Sequence, residues 1–487
     1  MKFDNTRKNL FGQIFLILSI LILAYMLISP LNHIITSIGE YFTITTVNFP
    51  ITDILTISKG EFNPPLYYLL AKLATKFLGN SVALLKILSV IPYAIIILVS
   101  TIKIRKDYGW LTAGIFALSM GVMSEFFTYF LMARMFSWAV LFTVLAFIFL
   151  RDIIGSDNKI SWILFTVFSI LAAYTHYFAG LTVAVIYLFL LAYILKNNRE
   201  KIKFWAASAV VAIILYVPWI LTLLNQIQAL EPSLMPKVNL DLIMTSLGYF
   251  ITANGIVFGV GTILILIALG IIYFTQKRNI DDEDQFYIIT GIGAFLAILI
   301  IGIAISAIYK PVLMPSCMIF ASATLWVAVS ILIGKITSRR LFLISFALIV
   351  LVLISGVATA ISTNNTLYNE NIANNEAMAQ ITQDDDSIVI LTNPRVMAYF
   401  LGSMNNTDVY CINQSHVYGD PIDRVHAIYD FNDITEAELN GFVANNTDKN
   451  IYIITFGQFN LNNYTKEVVF DESGYQIIKI NITAPAV

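Results

Sequence analysis

About eleven apolar stretches, each near the roughly 20 residues a helix needs to cross a bilayer, fill the first 362 residues of this chain. The first runs over about 11–32 and the last over about 341–361. Lipid offers no partner for backbone N–H and C=O groups, so stretches of this kind must be helices that satisfy themselves. The expected architecture is therefore mainly α, a polytopic membrane bundle of about eleven spans. Composition agrees: 58% of the 487 residues are hydrophobic and 12% are charged, against roughly 25% charged in soluble domains. A net charge of −2 argues against a nucleic-acid partner. Two cysteines, Cys317 and Cys411, are too few for a disulfide framework and read as buried thiols. The first stretch lacks a small-residue cleavage site, so it reads as a start-transfer helix that stays in the chain.

Loop charges set the orientation. The tail "MKFDNTRKN" and the connections "KIRKD", "RDIIGSDNK", "KNNREKIK", "QKRNIDDED" and "GKITSRR" together hold 17 Lys and Arg. The alternate connections hold far fewer. By the positive-inside rule the N-terminus is cytoplasmic, and the chain after the last span is outside. Six Asn-x-Ser/Thr sequons, at Asn364, Asn405, Asn413, Asn445, Asn463 and Asn481, all fall in that last part. The chain divides into a transmembrane domain, 1–362, with a long first outer loop at 33–81, and an extracytoplasmic small α/β domain, 363–487. Within the second domain "SIVIL", "TDVYCI", "NIYIITF" and "GYQIIKINI" read as strands. "TEAELNGFVANN" reads as a helix, with Thr435 and Glu438 spaced as a capping box. His416 and His426 lie outside any metal-ligand spacing and read as ordinary polar residues.

Chemistry at the outer surface needs polar groups on outer loops and outer helix ends. The first outer loop holds Glu40, Asp53, Glu61 and Asn63. Asn63 is placed to cap a helix with Pro64 and Pro65 in its first turn. The "LYYLLAKLATKFLG" that follows sets Leu66, Leu69, Leu70 and Leu73 on one face and Lys72 and Lys76 on another, as in an interfacial helix. Arg134 follows the second outer loop, and a planar guanidinium suits phosphate as well as it suits snorkelling. His176 and Tyr177 sit at the rim of the third loop, where aromatic belts are common. Trp219 near the end of span seven reads first as an anchor, and Lys310 after span nine is an outer cation that can also snorkel.

The order of these motifs resembles the C-type polytopic glycosyltransferases, the superfamily of dolichyl-phosphate-mannose protein mannosyltransferases and lipid A aminoarabinose transferases. The matching pieces are "GEYF", "GEFNPPLYY", "FLMARMF", "YTHYF", "VPWIL" and "KPVLMPS", spread over about 35–330. Each piece is weak; six in order, all on outer ends, make the case. The chain departs from the family pattern at four places. Gly39 replaces the first acid of an Asp-Glu pair, Asn63 a His, Met132 the Glu of an "EAR", and Ser316 the Arg of a "PRY". The resemblance implies transfer of a sugar from a polyprenyl-phosphate donor to a hydroxyl on a glycan, lipid or protein. It assigns the base to Glu40, with Asp53 and Glu61 as second choices. Arg134 and Lys310 would hold the phosphate, assisted by His176 or Tyr177, with Asn63, Tyr67 and Trp219 in the wall of the substrate site. The resemblance leaves a divalent ion open; the first loop has no tight Asp-x-Asp cluster, and no cofactor is expected. A lipid-linked-glycan flippase and a non-catalytic assembly protein are the other readings. Flippases tend to show internal repeats and mid-membrane charges, and neither is evident here. Glycan profiling of a deletion strain separates the three: one terminal sugar lost, a whole lipid-linked glycan accumulated, or no change.

Overall fold

A computed structural model describes residues 4–32, 38–60, 63–79, 81–156, 158–230, 236–252, 255–382, 386–392, 408–413, 432–435, 437–455, 465–472 and 475–481. Glu61, His416, His426 and the sequons at Asn405 and Asn463 lie outside the described residues. The chain forms two compact units. One comprises residues up to 34 with 62–363, the other 35–61 with 364–487. The start of the first loop thus groups with the C-terminal part rather than with the helical bundle.

The bundle opens with α1 (Asn5–Asn32). Two short helices of the second unit follow, α2 (Ile38–Thr46) and α3 (Ile51–Gly60). The bundle resumes with α4 (Leu66–Leu78), α5 (Val82–Val99), which runs through a π turn into α6 (Arg105–Tyr108), and α7 (Trp110–Val122). Next come α8 (Ser124–Leu131), α9 (Phe136–Gly155), α10 (Lys159–Thr175), α11 (Tyr177–Asn197), α12 (Ile202–Ala229) and α13 (Leu240–Gly248). The series closes with α14 (Ile256–Gln276), α15 (Asp282–Ile308), α16 (Ile319–Lys335) and α17 (Arg339–Thr382). Among the described residues nine helices are long and apolar enough to cross a membrane. The α7–α8 pair, bent by 65°, makes a tenth, and the 17-residue α10 is a shorter apolar helix. These coincide with the eleven stretches read from the sequence. The second outer loop expected before Arg134 is largely the helix α8; one extended residue, Met123 at ψ 129°, makes the bend.

Burial orders the bundle. The span containing α16 is 94% buried and is the central helix. The span containing α12 is only 11% buried, yet displays Val210, Ile213, Ile214, Leu215, Val217 and Leu221. An apolar face of that length is untenable in water and normal against lipid. The chain is a multi-pass membrane protein. α1 and α7 cross at a pair of glycines, as small residues allow in membranes. A Cβ on Gly12 would run into the Trp110 carbonyl oxygen, and one on Gly114 into the Gly12 carbonyl oxygen.

All six basic segments converge on one end of the bundle, as alternating spans require. Lys8 of the tail donates to the carbonyls of Gly334 and Ile336. Lys103 pairs with Asp152 at 2.7 Å, and Arg151 with Asp107 at 3.2 Å. The buried Asp284 meets Arg151 and Lys335. Lys201 donates to the carbonyls of Ile153, Ile154 and Ser156, closing the C-terminus of α9. Cations at helix C-termini also complement the dipole.

The second unit carries a six-stranded sheet in the order β3-β2-β1-β4-β6-β5. The strands are β1 (Ser387–Leu391), β2 (Asp408–Asn413), β3 (Asn432–Thr435), β4 (Asn450–Thr455), β5 (Thr465–Glu472) and β6 (Tyr475–Asn481). β1 to β4 pair in parallel; β6 runs antiparallel between β4 and β5. Alternate residues of the buried strands feed two cores. One, with Val389, Leu391 and Ile454, packs on Met378 and Ile381 of α17; the other, with Ile388, Ile390 and Ile453, packs on Leu439 and Val443 of α18 (Leu439–Asn445). The capping box forms: Thr435 N–H donates to Glu438 Oε2 at 2.9 Å, and Glu438 N–H donates to Thr435 Oγ1 at 3.3 Å. The edge strands β3 and β5 were not expected; their acids and short runs hide the alternation.

Two expectations about α4 are corrected. Asn63 does not cap it. The helix begins after both prolines, with Pro65 at the N-cap and no side-chain cap bond. A residue before proline is disfavoured in the helical region, so Pro65 keeps Pro64 out of the first turn. The buried face is Tyr67, Tyr68 and Ala71, while Leu73 is 55% exposed. The tyrosines go inward because each finds a polar partner there.

Candidate active site

At the end of the bundle opposite the basic segments, α4, α5 and the turn after α8 bring polar side chains together. Tyr67 and Tyr68 are fully buried, with rings edge to face at 5.9 Å. The Tyr67 hydroxyl shares a hydrogen bond with Ser89 of α5 at 3.1 Å. Arg134, in the turn Met132–Met135, donates from Nη1 to the Tyr68 hydroxyl at 3.4 Å. One turn before Ser89, the buried Lys86 donates to the Leu131 carbonyl at 3.2 Å, at the C-terminus of α8. Two cations and two phenols thus meet where α8 ends.

His176 caps α11. Its Nδ1 accepts from the Phe178 N–H at 3.2 Å, which leaves Nε2 as the donor of a neutral ring. Burial, with the Arg134 charge adding to it, pushes the imidazole down to about 3. The ring lies 4.5 Å from Phe320 and 5.5 Å from Phe136. Phe136 in turn lies 4.1 Å from Tyr129 of α8. Beyond it the Tyr249 hydroxyl donates to the Tyr129 hydroxyl at 2.8 Å. Glu125 lies close enough to Tyr249, and Ser316 to Tyr129, to perturb the two phenols. Burial, then Tyr129 and Glu125, push the Tyr249 phenol well above its ordinary value, so it stays protonated.

The other residues singled out from the sequence have these surroundings. Tyr177 hydrogen-bonds Gln226 and accepts from Trp219 Nε1 at 2.9 Å, which ties α11 to α12. Lys310 donates to the carbonyls of Gln228 at 2.6 Å and Leu230 at 2.9 Å, closing the end of α12. Asn63 is half-buried. In the second unit Glu40 is 1% exposed in the first turn of α2, while Asp53 is exposed in α3 and accepts from Thr52. Sequence reasoning passed over Tyr68, Lys86 and Glu125. A lysine inside "VALLKILSV" was the available signal, since an ionisable residue within a span is costly unless it has a role.

The bundle with its sheet domain matches two solved structures of ArnT from Cupriavidus metallidurans, a lipid A aminoarabinose transferase. The one bound to undecaprenyl phosphate superposes with a TM-score of 0.59 at 11% identity, over 96% of this chain and 97% of that one. The apo form gives 0.57 at 11%, over 95% and 97%. The fold is that of the C-type membrane glycosyltransferases. At 11% identity the likeness speaks for the fold and not for the chemistry. No family model matches the chain, and no curated protein matches its sequence.

Proposed function

We propose that the chain moves a sugar from a polyprenyl-phosphate-linked donor to a hydroxyl of a glycan, lipid or protein on the extracytoplasmic side. The observation that carries this reading is the meeting of Arg134 and Lys86 with Tyr67 and Tyr68 at the end of α8. A fold neighbour has been solved with undecaprenyl phosphate bound. In the transfer, the bond from the sugar's anomeric carbon to the phosphate oxygen breaks and a bond to the acceptor oxygen forms. The acceptor proton goes to a carboxylate, and the lipid phosphate leaves with its charge increased. Fixed cations in a dry site stabilise that developing charge. Arg134 offers a planar fork and Lys86 a point charge. Lys310 serves better as the anchor of α12, since two of its protons go to carbonyls. His176, neutral, offers Nε2–H as a further donor.

The resemblance in the first loop assigns the base to Glu40. The orientation follows from loop charge: basic end in the cytoplasm, sheet domain outside. In membranes supplied with polyprenyl-phospho-sugar, Glu40→Gln should abolish transfer while expression persists. Full activity in that variant removes Glu40 from the role of base.

A further inference from the structure

Most cations at the basic end are spent. Lys103, Arg151 and Lys335 meet carboxylates, Lys8 and Lys201 meet carbonyls, and Arg105 lies over the Trp110 ring. The side chains of Lys277, Arg278 and Arg340 are exposed and meet no carboxylate, carbonyl or ring among the described residues. Arg7, Lys106, Lys159 and Lys196 lack such a partner too, but each stands in a segment of its own. Two turns gather the first set. Gln276, buried at the end of α14, accepts on Oε1 from the Thr337 N–H and from the Thr337 hydroxyl, both at 3.3 Å. Gln285 of α15 donates to the carbonyls of Lys277 at 3.2 Å and Ile280 at 2.7 Å. The turn Lys277–Asn279 is thereby held against the turn that leads into α17, whose first residues are Arg339 and Arg340. Four cations thus flank the contact between Gln276 and Thr337. The acids nearest in sequence are engaged elsewhere, Asp281 with Lys335 and Asp282 with Gln285.

Next to these cations both helices turn an apolar stripe outward. On α14 Ile267, Ile271 and Phe274 are exposed at helical spacing, and Arg278 falls at the next step. On α17 Leu351, Leu348 and Ile344 are exposed in the same way, and Arg340 falls at the next step. A lipid-facing stripe headed by a guanidinium matches a lipid whose chain lies along the helix and whose phosphate meets the planar fork. Clustered cations at the end of a membrane helix favour a head with net negative charge. A zwitterionic head would bring its own cation against four others. We propose that Lys277, Arg278, Arg339 and Arg340 form a binding site for an anionic phospholipid of the leaflet at the basic end. Its phosphate sits between the two turns, and its acyl chains follow α14 and α17. The bound lipid ties the start of α17 to the end of α14, and the site is separate from the one around Arg134.

The test places the full chain in nanodiscs of phosphatidylcholine and phosphatidylglycerol in equal parts and counts the lipids that stay bound in native mass spectrometry. The wild type should retain phosphatidylglycerol over phosphatidylcholine by about 20-fold, and each cation should account for about five-fold of that. Arg278→Gln should lower the preference about five-fold, and Arg278→Gln with Arg340→Gln should bring it close to parity. Lys106→Gln with Lys159→Gln removes the same charge from separate segments and should leave the preference within about two-fold. A wild type without preference overturns the site. So does an equal loss in the two double variants, which would reduce the preference to the diffuse attraction of a positive surface. Phosphatidylethanolamine in place of phosphatidylcholine should be rejected in the same way. Retention equal to that of phosphatidylglycerol would overturn the requirement for net charge, and the site with it. Melting curves of each variant separate a lost lipid from a lost fold.

Discussion

The two ends of the bundle use the same residue types in opposite ways. At the basic end Lys103, Arg151 and Lys335 meet Asp107, Asp152, Asp281 and Asp284, and Lys8 and Lys201 close helix C-termini. At the other end the hydrogen bonds described for Arg134 and Lys86 run to a phenol and a carbonyl oxygen. The first end is a clamp, in which each of these cations has a carboxylate or a carbonyl opposite it. The second, on the proposed reading, gathers two cations and two phenols where a lipid phosphate can settle. The same amino acids thus serve stability at one end and, on the proposed reading, binding at the other.

The contrast can be broken by substitution, starting at the clamp. Asp284→Ala leaves Arg151 and Lys335 without their shared buried carboxylate. It should cost about 3–5 kcal/mol of stability, read from unfolding in detergent. A change under 1 kcal/mol would mean the clamp is not holding the helices. Arg134→Ala, at the other end, should weaken undecaprenyl phosphate by about 10–100-fold, the worth of a charge-assisted hydrogen bond, with little shift in melting. Lys310→Met should do the reverse. Losing two bonds to the end of α12 should lower stability by about 1 kcal/mol and leave lipid affinity unchanged. A 10-fold loss of affinity there would return Lys310 to the phosphate site.

A further prediction concerns pH. His176 titrates well below its ordinary value in the folded chain, so the folded state binds fewer protons than the unfolded one in the window between. Its contribution is full above the ordinary histidine pKa near 6.5 and fades as the pH falls from there toward about 3. His176→Phe should flatten the stability profile across that window. An unchanged slope would show that the ring is solvated in the folded state.

The spans were legible because lipid imposes one rule on every apolar stretch, and their parity was legible because Lys and Arg mark alternate connections. The clamp shows this in three dimensions, since all six basic segments touch there. The strands β1 and β4 stood out as apolar runs, whereas β3 and β5 sit at the edges, where acids and lysine interrupt the pattern. The site was legible only in part. Arg134 is conspicuous beside an apolar run. Tyr67 could not be told from Tyr68 by spacing, and only the fold shows which one meets the arginine. Lys86 drew no attention inside its span until the fold set it against the end of α8. Side chains joined from distant helices leave no local signature.

The central claim is that the cations at the end of α8 hold a lipid phosphate. The most direct measurement is the affinity of the full chain in nanodiscs for bare undecaprenyl phosphate in three forms. These are the wild type, the double variant Arg134→Ala with Lys86→Met, and Lys203→Ala, which removes a cation near the basic end. The account predicts about a 100-fold or greater loss in the double variant and no loss in Lys203→Ala. Equal affinities in all three, or equal losses in both variants, would contradict it.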